Sequence, residues 1–142
     1  MGISQPTRVE AEATLRLVQS DGSTVPVRTE LIYEPDDPYA VHLRFHDMGA
    51  VIDWYFGRDL ALDGLEGPSG LCDVRLWPIR STRGRFVALA LSSPDGNALF
   101  HVPRSRFARF LQRSIEMVPR GEEGERLDVD TCANRLLNCR IR

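Results

Sequence analysis

His42 and His46 stand four residues apart, a spacing that on a helix would let two imidazoles share one zinc ion. Here they fall in an alternating run, Tyr39 to His46, that reads as a strand. Four strand residues span about 13 Å, so one metal cannot take both, and they read as surface or interface histidines. His101 has no neighbouring Cys or carboxylate motif and reads the same way. Gly67-Pro68-Ser69-Gly70 resembles half of the nucleophile elbow G-x-S-x-G, but Leu71 replaces the final glycine and no helix follows. Asp53 lies in an apolar strand, where a partner arginine or an exposed face is favoured over a buried carboxylate of raised pKa. No two carboxylates are placed as an acid/base pair. All eighteen basic residues are arginines, so lysine-dependent phosphate loops, Schiff bases and Ser-Lys dyads are excluded. Arginine without lysine reads as the codon bias of a GC-rich genome, favoured over a functional reason. The three cysteines, 72, 132 and 139, have neither zinc-site spacing nor an even count. They read as reduced thiols of a cytoplasmic protein, Cys72 as a small core residue. The reading is a protein with no enzymatic activity, no metal and no cofactor.

What remains is surface chemistry. Arg104, Arg106, Arg109, Arg113 and Arg120 against Glu116 give +4 over residues 104–120. On a helix, Arg106, Arg109 and Arg113 share the side away from the phenylalanines. Two readings stand: a solvated face, helped by Arg113 and Glu116 at i, i+3, or a docking site for something acidic. The acidic group would be a partner's tail, a nucleic-acid phosphate, or the following segment 122–130 with its five acids. Trp77 beside Arg75 on an outward strand face pairs two residue types common at binding hot spots. The same pair suits single-stranded nucleic acid in miniature. However, Glu10, Glu12, Glu30 and Glu34 outnumber Arg16, Arg28 and Arg44 on the outward faces of the first three strands, which disfavours phosphate.

The elements that must position these groups follow from periodicity. Val9, Ala11, Ala13, Leu15 and Leu17 alternate with polar residues, the pattern of a half-buried antiparallel strand. Asp21-Gly22 turns the chain into a second strand, with Val25, Val27, Leu31 and Tyr33 inward, which Pro35 to Pro38 breaks. The third strand runs from Tyr39 to His46, and Met48-Gly49 is the next turn. Val51 to Phe56, apolar on both faces, reads as a more central strand. Arg58 to Leu65 suits a short helix closed by a left-handed Gly64. Further strands cover 72–77, 86–92 and 98–102, with turns at Arg83-Gly84 and Pro94-Asp95-Gly96. After Pro103 the period changes: Phe107, Phe110, Leu111 and Ser114 make the stripe of an amphipathic helix ending at Pro119. Asp130 would cap a last helix over 130–140. The expected fold is α+β, with about seven strands in two bent, barrel-like antiparallel sheets and two to three packed helices.

With 142 residues, 42% hydrophobic and 27% charged, the chain has the composition of one globular domain. Residues 1–8 read as a flexible N-terminus, 9–130 as the domain, and 131–142 as a C-terminal helix or tail. A net charge of −2 is not the balance of a protein held to nucleic acid or membrane by bulk charge. The longest apolar run, Phe86 to Leu91, is far short of a membrane span of about 20 residues. No signal peptide is expected, since the N-terminus has no apolar core of about 7–15 residues. Trp54, Trp77 and Phe100 include residues that alternation leaves outside a single core, so self-association is expected.

Several segments together resemble the SsgA-like sporulation and cell-division proteins of actinobacteria. They are Tyr33-Glu34-Pro35-Asp36-Asp37-Pro38-Tyr39-Ala40-Val41-His42-Leu43-Arg44-Phe45-His46, Trp54 with Phe56-Gly57-Arg58-Asp59-Leu60, and Asp73-Val74-Arg75-Leu76-Trp77-Pro78. Ala90-Leu91-Ser92-Ser93-Pro94-Asp95-Gly96, Phe110-Leu111 with Arg113, and Val118-Pro119 continue the likeness in order. It spans roughly residues 9 to 130 and is nearer to the SsgB branch than to SsgA itself. The resemblance implies a non-enzymatic protein of sporulation septation, located at the septum, whose partners are proteins of the division machinery. For the SsgB branch it implies help in placing the tubulin-like division protein FtsZ. It also implies a fold related to the whirly single-stranded nucleic-acid-binding proteins and a homo-oligomer of three copies. A nucleic-acid-binding module is the alternative reading. No catalytic or ligand residue is carried over.

Overall fold

Inward alternation builds the first hairpin: β1 (Val9–Val18) and β2 (Thr24–Tyr33) pair over all ten residues, from Val9–Tyr33 to Val18–Thr24. β3 (Ala40–Asp47) and β4 (Ala50–Gly57) extend the meander. Their two-residue link Met48-Gly49 has φ of 49° and 86°, the doubly positive geometry that matches strand twist in tight hairpins. α1 (Arg58–Gly64) then crosses to β5 (Val74–Ser81), β6 (Gly84–Ser93) and β7 (Gly96–Pro103), a second meander. α2 (Arg104–Met117) and a 3-10 turn, Glu123–Arg126, follow. The computed structural model of the chain describes residues 7–126. The helix expected over 130–140, Cys132 and Cys139, and most of the expected N-terminal segment lie outside the described residues.

β7 pairs back onto β1, so the seven antiparallel strands form one sheet in the order β4-β3-β2-β1-β7-β6-β5. The strand count and both described helices match the sequence reading; the expected two sheets are one, because β1 is shared by both meanders. The sheet curls into a half-barrel. Its two edges, β4 and β5, are linked across the concave side by α1, which touches β3, β4 and β5. α2 covers β1, β6 and β7. Between sheet and helices lie Leu15, Leu31, Val41, Leu43, Leu76, Leu89, Phe107, Phe110 and Leu111, all fully buried. Each such side chain contributes about 1.5–3 kcal/mol relative to exposure.

Four local expectations are corrected. β4 is an edge strand, not a central one: Val51, Ile52 and Tyr55 are exposed, so its two apolar faces are not two buried faces. Phe100 is core, stacked on Phe45 at 4.6 Å, while Trp54 packs against the core and half-buried Trp77 faces the opposite side of the sheet. These three aromatics therefore form no single patch. Cys72 is exposed, since it precedes β5 and is outside the alternation. Gly64 is not a left-handed cap. It is the last residue of α1 and is buried, and a Cβ there would lie 2.6 Å from Cβ of Leu76. Its small size lets α1 approach β5.

Candidate functional site

Phe107, Phe110, Leu111 and Ser114 turn one side of α2 into the core. That orientation leaves Arg106, Arg109 and Arg113 exposed on the other side. What they face follows from the β1–β7 register, which comprises only Arg16–His101 and Leu17–Phe100. Beyond it β7 ends at Pro103 and the chain turns into α2, so the first half of β1 keeps β2 on one side and faces the helix on the other. Arg106 Nη1 donates to the Glu12 carbonyl at 3.3 Å, and Arg113 Nη1 to the Glu10 carbonyl at 3.1 Å. Arg109 stands between them with no hydrogen-bond or ion-pair partner among the described residues. A groove of about 470 Å³ runs here, lined by the three arginines, Glu10, Ala11, Glu12, Ser105 and Phe110.

The other two arginines of the basic run belong elsewhere. Arg104 bonds Glu66 at 3.0 Å and the Leu65 carbonyl at 3.3 Å. Arg120 bonds Asp59 at 2.8 Å and Asp63 at 3.0 Å. The expected Arg113–Glu116 pair gives way to the carbonyl contact. Of the acids in 122–130, Glu123 is drawn away from the groove to Arg58.

Arg75 and Trp77 sit on the outer face of edge strand β5, the guanidinium 5.9 Å from the ring centroid. Trp77 is followed across the sheet by Ala88, His101 and Arg16 in register. Burial holds His101 below its ordinary pKa. The structure joins Trp77 to Arg75 and groups the three helix arginines, and no described contact connects the two sets.

On the outer face of β2, β3 and β4 each histidine has its own carboxylate. His42 Nε2 lies 2.6 Å from Asp53, which also accepts from Arg44 at 2.9 Å. His46 bonds Glu30. Hydrogen bonds from His42 and Arg44 hold Asp53 below the usual carboxylate range, and His46 does the same to Glu30. His42 stacks on Tyr55 at 4.3 Å and is itself nearly buried, although alternation places it on the outward face. Among the described residues no three metal-ligating side chains come together.

Arg58 opens the expected helix and stands in one of the resembling segments, but nothing in the sequence assigns its side chain a role. Arg58 is fully buried beneath the ring of Tyr33, at 4.9 Å. Its Nη1 donates to the carbonyls of Ser114 at 3.0 Å and Val118 at 2.7 Å, and its Nη2 to Glu123 at 2.8 Å. The available signal was a cation in the first turn of a helix, where the dipole favours acids, directly after an apolar strand.

The family described as the Streptomyces sporulation and cell division protein SsgA matches residues 27–123. The sporulation-specific cell division protein SsgB of Salinispora tropica is 56% identical over 140 residues, 96% of this chain and 98% of that one. SsgB of Streptomyces coelicolor is 44% identical over 133 residues, 92% and 96% of the two chains. A solved structure reported with SsgB mutations that correlate to longitudinal cell division during sporulation of Streptomyces coelicolor superimposes with a TM-score of 0.82. It is 44% identical and covers 88% of this chain and 99% of its own. The crystal structure of an SsgA-like sporulation-specific cell division protein from Thermobifida fusca gives 0.80 at 37% identity, covering 95% and 100%.

Proposed function

Because the chain belongs to the SsgA family of sporulation and cell division proteins, we propose that it acts by protein–protein docking at the division septum. In this reading it carries out no catalysis and helps to recruit or position FtsZ during sporulation-specific septation. The observation that carries the reading is likeness over nearly the whole chain to proteins named for sporulation-specific cell division. The surface supports it: an arginine-lined groove at α2 and a Trp77–Arg75 pair on an exposed edge strand are contact features. No helix among the described residues is long and apolar enough to cross a membrane. The direct test is a pull-down from sporulating cells with and without nuclease. FtsZ is expected in both samples. Nucleic acid recovered without division proteins would overturn the reading and support the single-strand-binding alternative.

Self-association belongs to the same proposal. Leu17, Val27, Ile52, Trp54, Ala98 and Phe100, together with the polar Asp47, Ser93, Asp95 and Asn97, line a largely apolar mouth of about 290 Å³. Ile52 is 45% exposed there. A second copy seated on this mouth would bury it, and closed symmetry is the usual outcome for such contacts. Light scattering at micromolar concentration is expected to give about 48 kDa, three copies of a 16.0 kDa chain. A mass near that of one chain refutes the oligomer. Trp54→Ala is expected to lower the mass.

A further inference from the structure

We propose that the outer edge of β4 is a strand-addition site for an antiparallel peptide of a partner protein that sets an arginine or lysine opposite Asp53, between two apolar residues. The site is independent of which protein supplies the peptide, so its failure leaves the septal role untouched.

β4 ends the seven-stranded sheet and pairs with β3 alone. The two-residue link at Met48-Gly49 makes Asp47–Ala50 a hydrogen-bonded pair, and every second pair along the hairpin repeats it. These are Phe45–Ile52, Leu43–Trp54 and Val41–Phe56, and the Arg58 N–H, which donates to the Tyr39 carbonyl at 2.7 Å, continues the series. The main-chain groups of Val51 and Asp53 therefore point away from β3, and no turn or loop hydrogen bond among the described residues reaches them. Ala50, Val51, Ile52 and Asp53 are all exposed, so nothing among the described residues covers this stretch. The opposite edge does not offer the same row. On β5, Leu76 exchanges its N–H and C=O bonds with Ser69, and Pro78, which faces the same way, has no N–H to give. An uncovered row of main-chain donors and acceptors is a template for an added strand.

The side chains fix what that strand must carry. On the outer face Glu30, Arg44 and Asp53 stand opposite one another in register on β2, β3 and β4. Charge alternates across the row, negative, positive, negative, and the row stops at the sheet edge on a carboxylate. Opposite charges directly across a ladder stabilise it, so the next member is a cation. Asp53 has an oxygen for it: His42 and Arg44 both bond Oδ1, and Oδ2 has no hydrogen-bond partner among the described residues. Val51 and Tyr55, two residues to either side on the same face, are 53% and 42% exposed. Apolar residues at i−2 and i+2 of the added strand would cover them. A second copy of β4 supplies no cation in any register, because its own outer residues are Val51, Asp53 and Tyr55. An acidic strand would set carboxylate against carboxylate. The concave mouth, lined by Ile52 and Trp54, is on the other face of β4 and stays open to self-association.

The test uses the full chain, isotope-labelled, and follows its backbone amide resonances while the heptapeptide Ser-Val-Thr-Arg-Thr-Val-Ser is added to millimolar concentration. The signals of Val51 and Asp53 are expected to move most, and their hydrogen exchange to slow. A peptide with glutamate in place of the arginine is expected to bind at least about fivefold more weakly, since it exchanges an attractive cross-strand pair for a repulsive one. An arginine peptide N-methylated at both valines and at the arginine keeps its charge but loses the donors that face β4. It is expected to bind at least about tenfold more weakly. Asp53→Asn keeps the shape and removes the charge, so the arginine and glutamate peptides should come within about twofold of each other on this variant; its thermal midpoint is measured alongside. Equal binding of the arginine and glutamate peptides to the natural chain, equal binding of the N-methylated peptide, or discrimination that survives in Asp53→Asn overturns the proposal. So does the absence of movement at Val51 and Asp53 with millimolar peptide. Slow exchange of these two amides in the free chain also overturns it, because another strand would then already occupy the edge.

Discussion

Arg58→Ala is expected to lower the stability of the folded chain by about 3–5 kcal/mol, the cost of stranding one member of a buried ion pair. The side chain is fully buried and makes contacts that no neighbour can replace. It ties the start of α1 to the last turn of α2 through the Ser114 and Val118 carbonyls, and to the 3-10 turn through Glu123. Both carbonyls lie at the helix end, where a cation suits the dipole; the Ser114 carbonyl also accepts from the Val118 N–H at 2.9 Å, whereas Val118 follows the last helical residue. Without Arg58, Glu123 is left as an uncompensated carboxylate with 4% of its side chain exposed. Urea unfolding should show the loss as a lower midpoint with an unchanged slope. Arg58→Lys should recover only part of it, since one ammonium cannot reproduce the two-nitrogen fork. The double change Arg58→Met with Glu123→Leu should be more stable than Arg58→Ala, because it removes both charges together. A loss under about 1 kcal/mol for Arg58→Ala, the range of an exposed pair, would refute this account.

Acid adds a second readout. Burial works against the Glu123 charge. Hydrogen bonds from Arg58, from its own backbone N–H and from Gly121, together with the Arg58 charge, outweigh that and hold its pKa below the ordinary 4.5. A depressed folded-state pKa contributes stability that is fully present above the unfolded value and is lost as pH falls through the folded one. The Glu123 contribution to the stability of the natural chain should therefore be lost on acidification below about pH 4.5, and the Arg58→Ala chain, which lacks the pairing, should not show that loss.

Local features were legible where a short-range rule decides them. Val9, Ala13 and Leu15 face inward because strand side chains alternate, and Phe107, Phe110 and Leu111 do so because a helix turns every 3.6 residues. Met48-Gly49 and Pro94-Asp95-Gly96 were readable as turns from residue type alone. What escaped depends on pairing between distant segments. Val51 to Phe56 is apolar on both faces whether it lies inside a sheet or at its edge, and only the strand order decides which. Arg58 meets acceptors 56 to 65 residues away, so its neighbours in the chain do not reveal them. The arginine row on α2 was visible, but the β1 carbonyls beneath it are within its reach only because β7 leaves the sheet after two pairs with β1.

Gly70→Ala should cost about 3 kcal/mol, from two separate sources: φ strain of roughly 1–2 kcal/mol and overpacking of a similar size. Gly70 has φ of +95°, a region that side chains with a Cβ rarely adopt. An added Cβ would lie 2.2 Å from the Val74 carbonyl oxygen and 3.1 Å from Cα of Arg75. Both obstacles are backbone, so neither can swing aside. Beside it, the Ser69 N–H donates to the Leu76 carbonyl and the Leu76 N–H to the Ser69 carbonyl, each at 2.8 Å. Ser69 Oγ donates to the Leu60 carbonyl at 2.9 Å. The serine that superficially fits half of a nucleophile elbow is thus a clasp between α1 and β5, and Gly70 lets the clasp close. Pushing Val74 outward would open that clasp and loosen the edge strand that carries Arg75 and Trp77. Gly67→Ala is the matched control, since nothing lies within 4 Å of the new Cβ and φ is ordinary there. It should change stability by less than about 0.5 kcal/mol, as an open surface position does. Thermal unfolding of the two variants side by side decides the matter: a midpoint for Gly70→Ala equal to that of Gly67→Ala would remove the steric argument.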